Sequence, residues 1–320
     1  MTDDITALAE RCVEAINALS GRHEGFRAAH ARGTLCAGTF TAAPGAAELS
    51  RAAHLQGDPV RVTVRFSNGS GNPETPDNDR QEGRGMATKF YLPDGGTTDI
   101  VGLTLPCFFV RTPEDFIAFL SARKPVDDSG RPDMEKIGAF LGEHPETGAA
   151  LQQILPTLVP PRSYATCLFN SIHSFRLANG RGGGGDGRWV RYRWLPEAGV
   201  EALPEDEIDG AAREYLQEDI RARLDEGPVR FTLVARFAQD GDDVDDPTVP
   251  WPDGEREEAE LGTLELTGLD TERETGDDVL VFDPTRVTDG IETSDDRILH
   301  IRSHAYSVSV ERRAGVPRPA

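Results

Sequence analysis

The residues from Val60 to Phe66 alternate between apolar and polar side chains, and Val60, Val62, Val64 and Phe66 fall on one side of an extended chain. Successive side chains of a β-strand point to opposite faces, so this period of two predicts a strand with one face in a core. A single hairpin is barely stable in water, and a buried strand face therefore needs a sheet of several strands. This stretch commits the chain to such a sheet.

Further strand patterns follow along the chain and are interrupted by helical patterns. We predict strands at 85–92, 99–111, 164–178, 188–195, 228–237 and 261–267, and helices at 3–20, 113–123, 133–143, 145–155 and 205–225. Mostly antiparallel strands with helices inserted between them predict an α+β protein built on a β-barrel or a large curled sheet. There is no internal repeat and no convincing linker, so the prediction is one domain over residues 1–320.

The composition is strongly acidic, with 55 Asp and Glu against 34 Lys and Arg and a net charge of −21. Nucleic acids and anionic membranes attract proteins with a basic surface, so neither is expected as a partner. The N-terminus lacks an apolar signal core, and the sequence has no continuous apolar run of about 18 residues, the length that a membrane-spanning helix needs. We therefore expect a cytoplasmic protein.

Several common functional motifs are missing. The four cysteines are far apart and form no CxxC pair, and we interpret Cys36, Cys107 and Cys167 as core residues because their neighbours are apolar. The sequence has no HExxH, no GxSxG and no GxGxxG after a strand, which disfavours a zincin, an α/β-hydrolase and a Rossmann dehydrogenase.

Two loops look like ligand-binding motifs but do not meet the requirements. The Gly-rich run NGRGGGGDG (179–187) lies between two strands, whereas a phosphate loop opens a helix, so a hairpin is predicted. The acidic run DGDDVDD (240–246) has Val244 at a position where a calcium loop needs oxygen, so a solvated loop is predicted.

Segments spread along the whole chain, taken in order, resemble the haem catalase superfamily, and most closely its short members, the catalase-related peroxidases. They are FRAAHARGTLCAGTF (26–40), VRFSNGSGNPETPDNDRQEGRGMATKFYLPDG (64–95), DIVGLTLPCFFVRTPEDF (99–116), SYATCLFNSIHSFRLAN (163–179), DDPTVPW (245–251), FDPTRV (282–287) and RILHIRSHAY (297–306). The resemblance implies a catalase-core antiparallel β-barrel with inserted and flanking helices and a core over about 20–315. It also implies haem b as the cofactor and the absence of the C-terminal helical region of long catalases.

The resemblance assigns a role to each position that matches a site residue of the family. His30 matches the distal histidine over the haem, and Ser67 matches the residue that hydrogen-bonds that histidine. Phe116 matches the aromatic ring packed on the distal side, and Arg27, Arg65 and Arg313 match the arginines that bind the propionates. Tyr306 matches the proximal iron ligand, and Arg302 matches the partner of its phenolate. His173 matches a histidine near the haem pocket, and the sequence gives no role for it.

The pairing of Arg302 with Tyr306 agrees with elementary electrostatics. A tyrosine ordinarily ionises near pH 10, so a phenolate at pH 7 needs about 4 kcal/mol of stabilisation. A guanidinium at about 4 Å supplies about this much at an effective dielectric constant of about 20. Residues four apart on a helix share a face, whereas His304 is two residues from each, about 200° around the axis. We therefore predict that His304 is a bystander.

One position departs from the pattern of the long catalases. Leu103 in VGLTLP stands where those enzymes carry the distal Asn that helps to orient peroxide. Leucine has no hydrogen-bond donor or acceptor. We therefore expect the reaction with a second peroxide, which defines a catalase, to be impaired, and reduction by an organic donor to compete with it.

The resulting prediction is a haem peroxidase that reduces hydrogen peroxide or organic peroxides with a small-molecule electron donor, with weak catalase activity, in the response to oxidative stress. A homo-oligomer is left open. Two other functions also remain open: a haem enzyme that converts lipid or organic hydroperoxides without a reductant, and a haem-binding or sensing protein with little turnover. His30 and Ser67 favour turnover, because storage of haem needs no distal base.

Overall fold

In the computed structural model, which describes residues 2–125, 131–179, 187–270 and 280–315, the alternating stretch lies within an antiparallel sheet. The strands are β1 (Gly33–Ala42), β2 (Val60–Asn68), β3 (Arg84–Tyr91), β4 (Thr97–Leu103), β5 (Phe169–Asn170), β6 (Phe175–Leu177), β7 (Arg188–Pro196), β8 (Val229–Phe237), β9 (Glu258–Leu269) and β10 (Ile291–Thr293). The helices are α1 (Thr2–Ser20), α2 (Ala46–Leu49), α3 (Pro113–Ala122), α4 (Met134–Glu143), α5 (Pro145–Ile154), α6 (Glu205–Ile208), α7 (Tyr215–Glu226) and α8 (Arg297–Arg313). Short 3₁₀ turns lie at Ala53–Leu55, Leu155–Thr157 and Tyr164–Thr166.

The sheet closes into a barrel. The strand order β7-β5-β4-β3-β2-β1-β9-β8 is completed by pairing of β8 with β7, and β6 and β10 extend the sheet beside β7. All the strand pairs are antiparallel. The predicted antiparallel β-barrel with inserted helices is confirmed. Closure leaves these eight barrel strands without the exposed edges that would otherwise invite pairing with other chains.

The barrel interior holds the main hydrophobic core. Phe40, Phe66, Phe90, Trp194 and Phe231 are buried there, each contributed by a different strand. Because neighbours along a strand point to opposite faces, the residues that flank Phe66 project from the outside of the barrel.

Helices α1, α3 and α8 pack against one another outside the barrel. Cys12 and Val13 of α1 meet Ile301 and Val308 of α8 in a second apolar cluster. The Thr112-Pro113 helix start forms as its sequence predicts, since the Thr112 hydroxyl accepts a hydrogen bond from the backbone N–H of Asp115 (3.1 Å). In the described part of the chain, no helix is long and apolar enough to cross a membrane.

Some predicted boundaries are wrong. The strand predicted over 99–111 ends at Leu103, since the chain turns at Thr104, whose side chain accepts from the Arg84 backbone, and Pro106 has no N–H for a ladder. The helix predicted over 205–225 is two helices. Its second half begins beside Asp77, whose carboxylate accepts from the Leu216 backbone N–H at 2.9 Å. The strand predicted over 164–178 consists of a 3₁₀ turn, β5 and β6.

Residues 180–186 of the Gly-rich run lie outside the described residues. In the acidic run, Asp242 binds Arg256 and the backbone of Gln239, so its carboxylate already has partners within the loop region. All four cysteines are buried, which confirms the interpretation of Cys36, Cys107 and Cys167 as core residues.

Candidate active site

A row of residues on the outer face of the barrel forms one wall of the candidate site. Ser67 of β2 lies opposite Gly85 of β3, Gly85 lies opposite Leu103 of β4, and Leu103 lies opposite Asn170 of β5. Residues directly opposite one another in an antiparallel sheet project to the same side. Leu103 therefore faces the same space as Ser67.

His30 is held over this row by its backbone and by Ser67. It is the only non-glycine residue in the described part of the chain with a positive φ, at 55°, a sparsely populated conformation that often marks functional positions. Its backbone N–H donates to the Gly69 carbonyl at 3.1 Å. Its Nδ1 lies 3.0 Å from the Ser67 hydroxyl oxygen. If Nδ1 donates this bond, Nε2 carries the lone pair and can act as a base.

Gly85 provides the space that the His30 ring occupies. A Cβ at this position would lie 2.9 Å from His30 Cε1 and 2.9 Å from Ser67 Oγ. Both distances are below ordinary van der Waals contact, so any side chain here would displace the pair. The absence of a side chain at Gly85 is part of the construction of the site.

The electrostatic environment keeps His30 neutral. Burial, followed by the nearby guanidinium groups of Arg65 and Arg302, lowers the pKa of His30 from its ordinary value of 6.5 to about 3. An imidazolium in this position would lose hydration and face two cations. The His30 ring is therefore a neutral proton acceptor throughout the physiological pH range.

On α8, Arg302 and Tyr306 form a two-point contact. Arg302 Nε lies 2.9 Å and Nη2 lies 2.7 Å from the Tyr306 phenol oxygen. Two charged donors converge on one oxygen, so charge-assisted hydrogen bonds hold the phenol oxygen in a fixed position. This is the arrangement expected of a phenolate ligand supported by a guanidinium.

His173 lies behind Arg302 and connects it to the start of the same helix. Arg302 Nη1 donates to His173 Nε2 at 2.7 Å, and His173 Nδ1 donates to the Asp296 carboxylate at 2.6 Å. The other Asp296 oxygen caps α8 by accepting from the Ile298 N–H at 2.8 Å. Burial lowers the pKa of His173, which keeps the ring neutral so that it can accept from Arg302. The role that the sequence left open for His173 is therefore to orient Arg302.

The three arginines predicted to bind propionates lie close to the same space. Arg27 Nη2 and Arg313 Nη2 donate to one oxygen, the Leu280 carbonyl, at 2.7 and 3.2 Å. Arg65 is buried on the outer face of β2, and its Nη2 donates to the Ala31 carbonyl at 3.3 Å. Guanidinium groups are the side chains best suited to bind carboxylates.

Phe116 lies where α3 meets α8. Its half-buried ring packs in the apolar cluster with Ala305 and Ile301. Phe109 approaches it with a ring separation of 5.8 Å. The structure thus places an aromatic side chain against the helix that carries Tyr306.

Sequence reasoning missed Gly85 and Asp296. Gly85 was visible only as an isolated glycine in a strand pattern, a signal that indicates close approach of another group without naming the group. Asp296 was visible as part of an acidic helix start, but its contact with His173 joins residues 123 positions apart.

The chain is similar to known proteins over nearly its whole length. A family model described as Catalase matches residues 12–318. A catalase-related peroxidase of Mycolicibacterium paratuberculosis is 42% identical over 311 residues, which cover 97% of this chain and 96% of that protein. A catalase-related peroxidase of Synechococcus elongatus is 32% identical over 304 residues, which cover 95% of this chain and 88% of that protein.

Solved structures share the fold. A fungal catalase superposes with a TM-score of 0.78 at 24% identity, over 91% of this chain and 60% of that one. Catalase A from Saccharomyces cerevisiae gives a TM-score of 0.78 at 24% identity, over 91% of this chain and 61% of that one. The chain therefore spans about three fifths of the length of these solved catalases. The family match over nearly all of the sequence, the two near-full-length relatives and the shared barrel show that this chain belongs to the catalase family.

Proposed function

We propose that this protein is a haem b-dependent peroxidase that reduces hydrogen peroxide or organic peroxides with a small organic electron donor and has weak catalase activity. Membership of the catalase family makes the chain an oxidoreductase acting on peroxide. The finer assignment rests on one observation: the neutral His30–Ser67 pair stands beside Leu103 on the outer face of the barrel, where an amide would be needed to hold a second peroxide.

The side chains fit a haem. The space over Gly85 leaves no room for a Cβ, two guanidinium nitrogens converge on the Tyr306 oxygen, and two further arginines converge on the Leu280 carbonyl. Tyr306 would ligate the iron, Arg27, Arg65 and Arg313 would bind the propionates, and Phe116 would pack on the distal side. When bound, the haem supplies the iron that binds the peroxide oxygen and accepts the oxidising equivalents.

His30 moves the proton in this reaction. Its Nε2 accepts the proton from the near oxygen of the peroxide and returns it to the leaving oxygen, so that the leaving group departs as water or an alcohol. Ser67 holds the ring at Nδ1 and fixes which nitrogen carries the lone pair. Burial, together with the guanidinium groups of Arg65 and Arg302, lowers the pKa of His30 and so keeps the ring neutral and ready to accept a proton.

Leu103 decides which reductant completes the cycle. It gives a second peroxide no hydrogen bond on the wall next to Gly85. The neighbouring amide, Asn170, donates its Nδ2 to the Leu105 carbonyl at 3.3 Å. An organic donor needs no orienting amide at this position and therefore competes well.

The test is to load the protein with haem and follow peroxide loss and oxygen release, with and without an oxidisable dye. We expect donor oxidation to account for most of the peroxide consumed and oxygen release to be slow. Rapid oxygen release that the dye does not suppress would contradict the peroxidase assignment. Conversion of a fatty-acid hydroperoxide at full rate without a donor would instead indicate rearrangement.

The proposal includes a location in the cytoplasm and a role in removing peroxide under oxidative stress. The net charge of −21, which gives no expected attraction to anionic membranes, supports this location. Cell fractionation with an antibody against the protein tests the proposed location, and recovery of the protein outside the cytoplasm would contradict that location.

A further inference from the structure

A basic pocket lies at the edge of the site where Arg27 and Arg313 converge. It has a volume of about 130 Å³ and opens between the C-terminal end of α1 and the last turns of α8. Its basic lining residues are Arg22, His23, Arg27 and Arg312. Pockets for drug-sized ligands measure about 300–1,000 Å³, so this one suits a molecule of about one aromatic ring.

The pocket shares its wall with the proposed haem site. Arg27 lines the pocket and donates to the Leu280 carbonyl, which also accepts from Arg313. Ser309 lines the pocket as well, and its hydroxyl accepts from Arg313 Nη1 at 3.4 Å. A molecule in the pocket would therefore contact Arg27, one of the groups that would bind the propionates, and would be separated from Arg313 by Ser309.

The charge of the pocket is opposite to that of the rest of the protein. The chain has a net charge of −21, yet three guanidinium groups and one carboxylate, that of Glu24, line this pocket. Arg22 is exposed and forms no ion pair with the residues that the structure describes. Arg312 binds Glu14 at 2.7 Å, while its buried Nη1 has no hydrogen-bond partner within the described ranges. These donors suit an anionic oxygen.

We propose that this pocket binds the reducing substrate, and that this substrate is a small aromatic donor carrying a carboxylate or sulfonate. The inference rests on the proposed peroxidase function and names its donor class. Two donor molecules each lose one electron and one proton. The peroxide takes up both electrons and both protons as its O–O bond breaks, giving two waters from hydrogen peroxide or one water and one alcohol from an organic peroxide.

The first test uses three donors that share one oxidisable ring: 3,4-dihydroxybenzoate is anionic, catechol is neutral and dopamine is cationic. Each is assayed with the haem-loaded wild type, with Arg22→Glu, and with Arg221→Glu. Arg221 is exposed on α7 and provides the same charge change outside the pocket. Comparing each donor between variants cancels the different redox potentials of the donors.

We expect Arg22→Glu to lower kcat/KM for the anionic donor by on the order of tenfold, to leave the neutral donor nearly unchanged and to favour the cationic donor. Arg221→Glu should behave as the wild type. Equal effects of Arg22→Glu on all three donors would overturn the inference while leaving the peroxidase assignment intact. Failure of the wild type to oxidise any of the donors would instead overturn the proposed function.

The second test measures binding without turnover. Benzenesulfonate is titrated by calorimetry into the haem-loaded wild type and the same two variants. We expect binding that Arg22→Glu weakens by on the order of tenfold and Arg221→Glu retains. The absence of binding to the wild type, or equal affinity in all three proteins, would overturn the assignment of the pocket.

Discussion

Arg302 and Tyr306 are one helical turn apart on α8, and two nitrogens of the Arg302 guanidinium lie 2.9 and 2.7 Å from the Tyr306 oxygen. The third guanidinium nitrogen donates to the buried His173, which Asp296 orients from the N-cap position of the same helix. All three nitrogens of the guanidinium therefore have a partner in this arrangement. The helix thus holds a cation in a fixed place against the side chain proposed to ligate the iron.

The rate at which the haem-loaded protein reacts with peroxide should be nearly independent of pH between 5 and 8. The pKa of His30 is lowered to about 3, so the ring stays neutral and able to accept a proton over this whole range. Stopped-flow measurement of the reaction of the haem-loaded protein with hydrogen peroxide checks this. A loss of rate centred near pH 6.5 would show that His30 titrates as a free histidine and would contradict this prediction.

Replacement of Gly85 by alanine should slow the reaction with peroxide by roughly 10–100-fold, because a Cβ there displaces His30 and Ser67 from their positions. Haem content, read from the absorption spectrum, should change little because the nearest neighbours of the added Cβ belong to His30 and Ser67 and not to Arg302 or Tyr306. Gly268→Ala on β9 is the matched control, since a Cβ at Gly268 meets no heavy atom within 4 Å. An active Gly85→Ala variant would show that the space over Gly85 is not needed.

Replacement of Leu103 by asparagine should raise oxygen release from hydrogen peroxide by roughly tenfold or more relative to donor oxidation, because it restores a hydrogen-bonding group beside the His30–Ser67 pair. An oxygen electrode measures this ratio. Leu105→Asn is the control: it introduces the same amide on the segment after β4, where the Leu105 side chain lies against Gly83. Equal ratios in the wild type and in Leu103→Asn would remove Leu103 as the cause of the peroxidase preference.

Acid should destabilise the fold through His54, and His54→Leu should reduce that sensitivity. The ring is buried beside Phe90, and burial lowers the pKa of His54 from 6.5 to about 4. Below pH 6.5 the unfolded chain takes up a proton at His54 that the folded chain does not, so the free energy of unfolding falls as the pH drops toward 4. Between pH 7 and pH 5 the free energy of unfolding should fall less in the variant than in the wild type, by on the order of 1–2 kcal/mol. Urea unfolding at both pH values checks this, and equal losses would contradict it.

The sequence predicted those parts of the barrel in which the pattern is local. Val60 to Phe66 revealed β2 because every second side chain is apolar and buried. Strand β1 escaped detection because Gly38 interrupts its pattern. A Cβ at Gly38 would lie 2.1 Å from the Glu265 carbonyl oxygen, so glycine is required where β9 approaches at a register shift. Strands β5, β6 and β10 have only two or three residues, too few for any periodicity.

In the candidate site, too, contacts within one element were predictable from the sequence and contacts between distant elements were not. Arg302 and Tyr306 share a helix, so their spacing alone predicted that they face one another. The contacts of His173 with Arg302 and Asp296, and of Gly85 with His30, join separate elements, and only the closed barrel brings them together. The left-handed backbone of His30 likewise depends on its bond to Gly69 and carried no sequence signal of its own.

The most direct test of the account is the absorption spectrum of the haem-loaded protein in the wild type, in Tyr306→Phe and in His304→Ala. We expect a ferric haem spectrum with phenolate ligation in the wild type, its loss in Tyr306→Phe, and an unchanged spectrum in His304→Ala. An unchanged spectrum in Tyr306→Phe, or loss of the ligand signature in His304→Ala, would show that the iron is bound elsewhere and would contradict the proposed site.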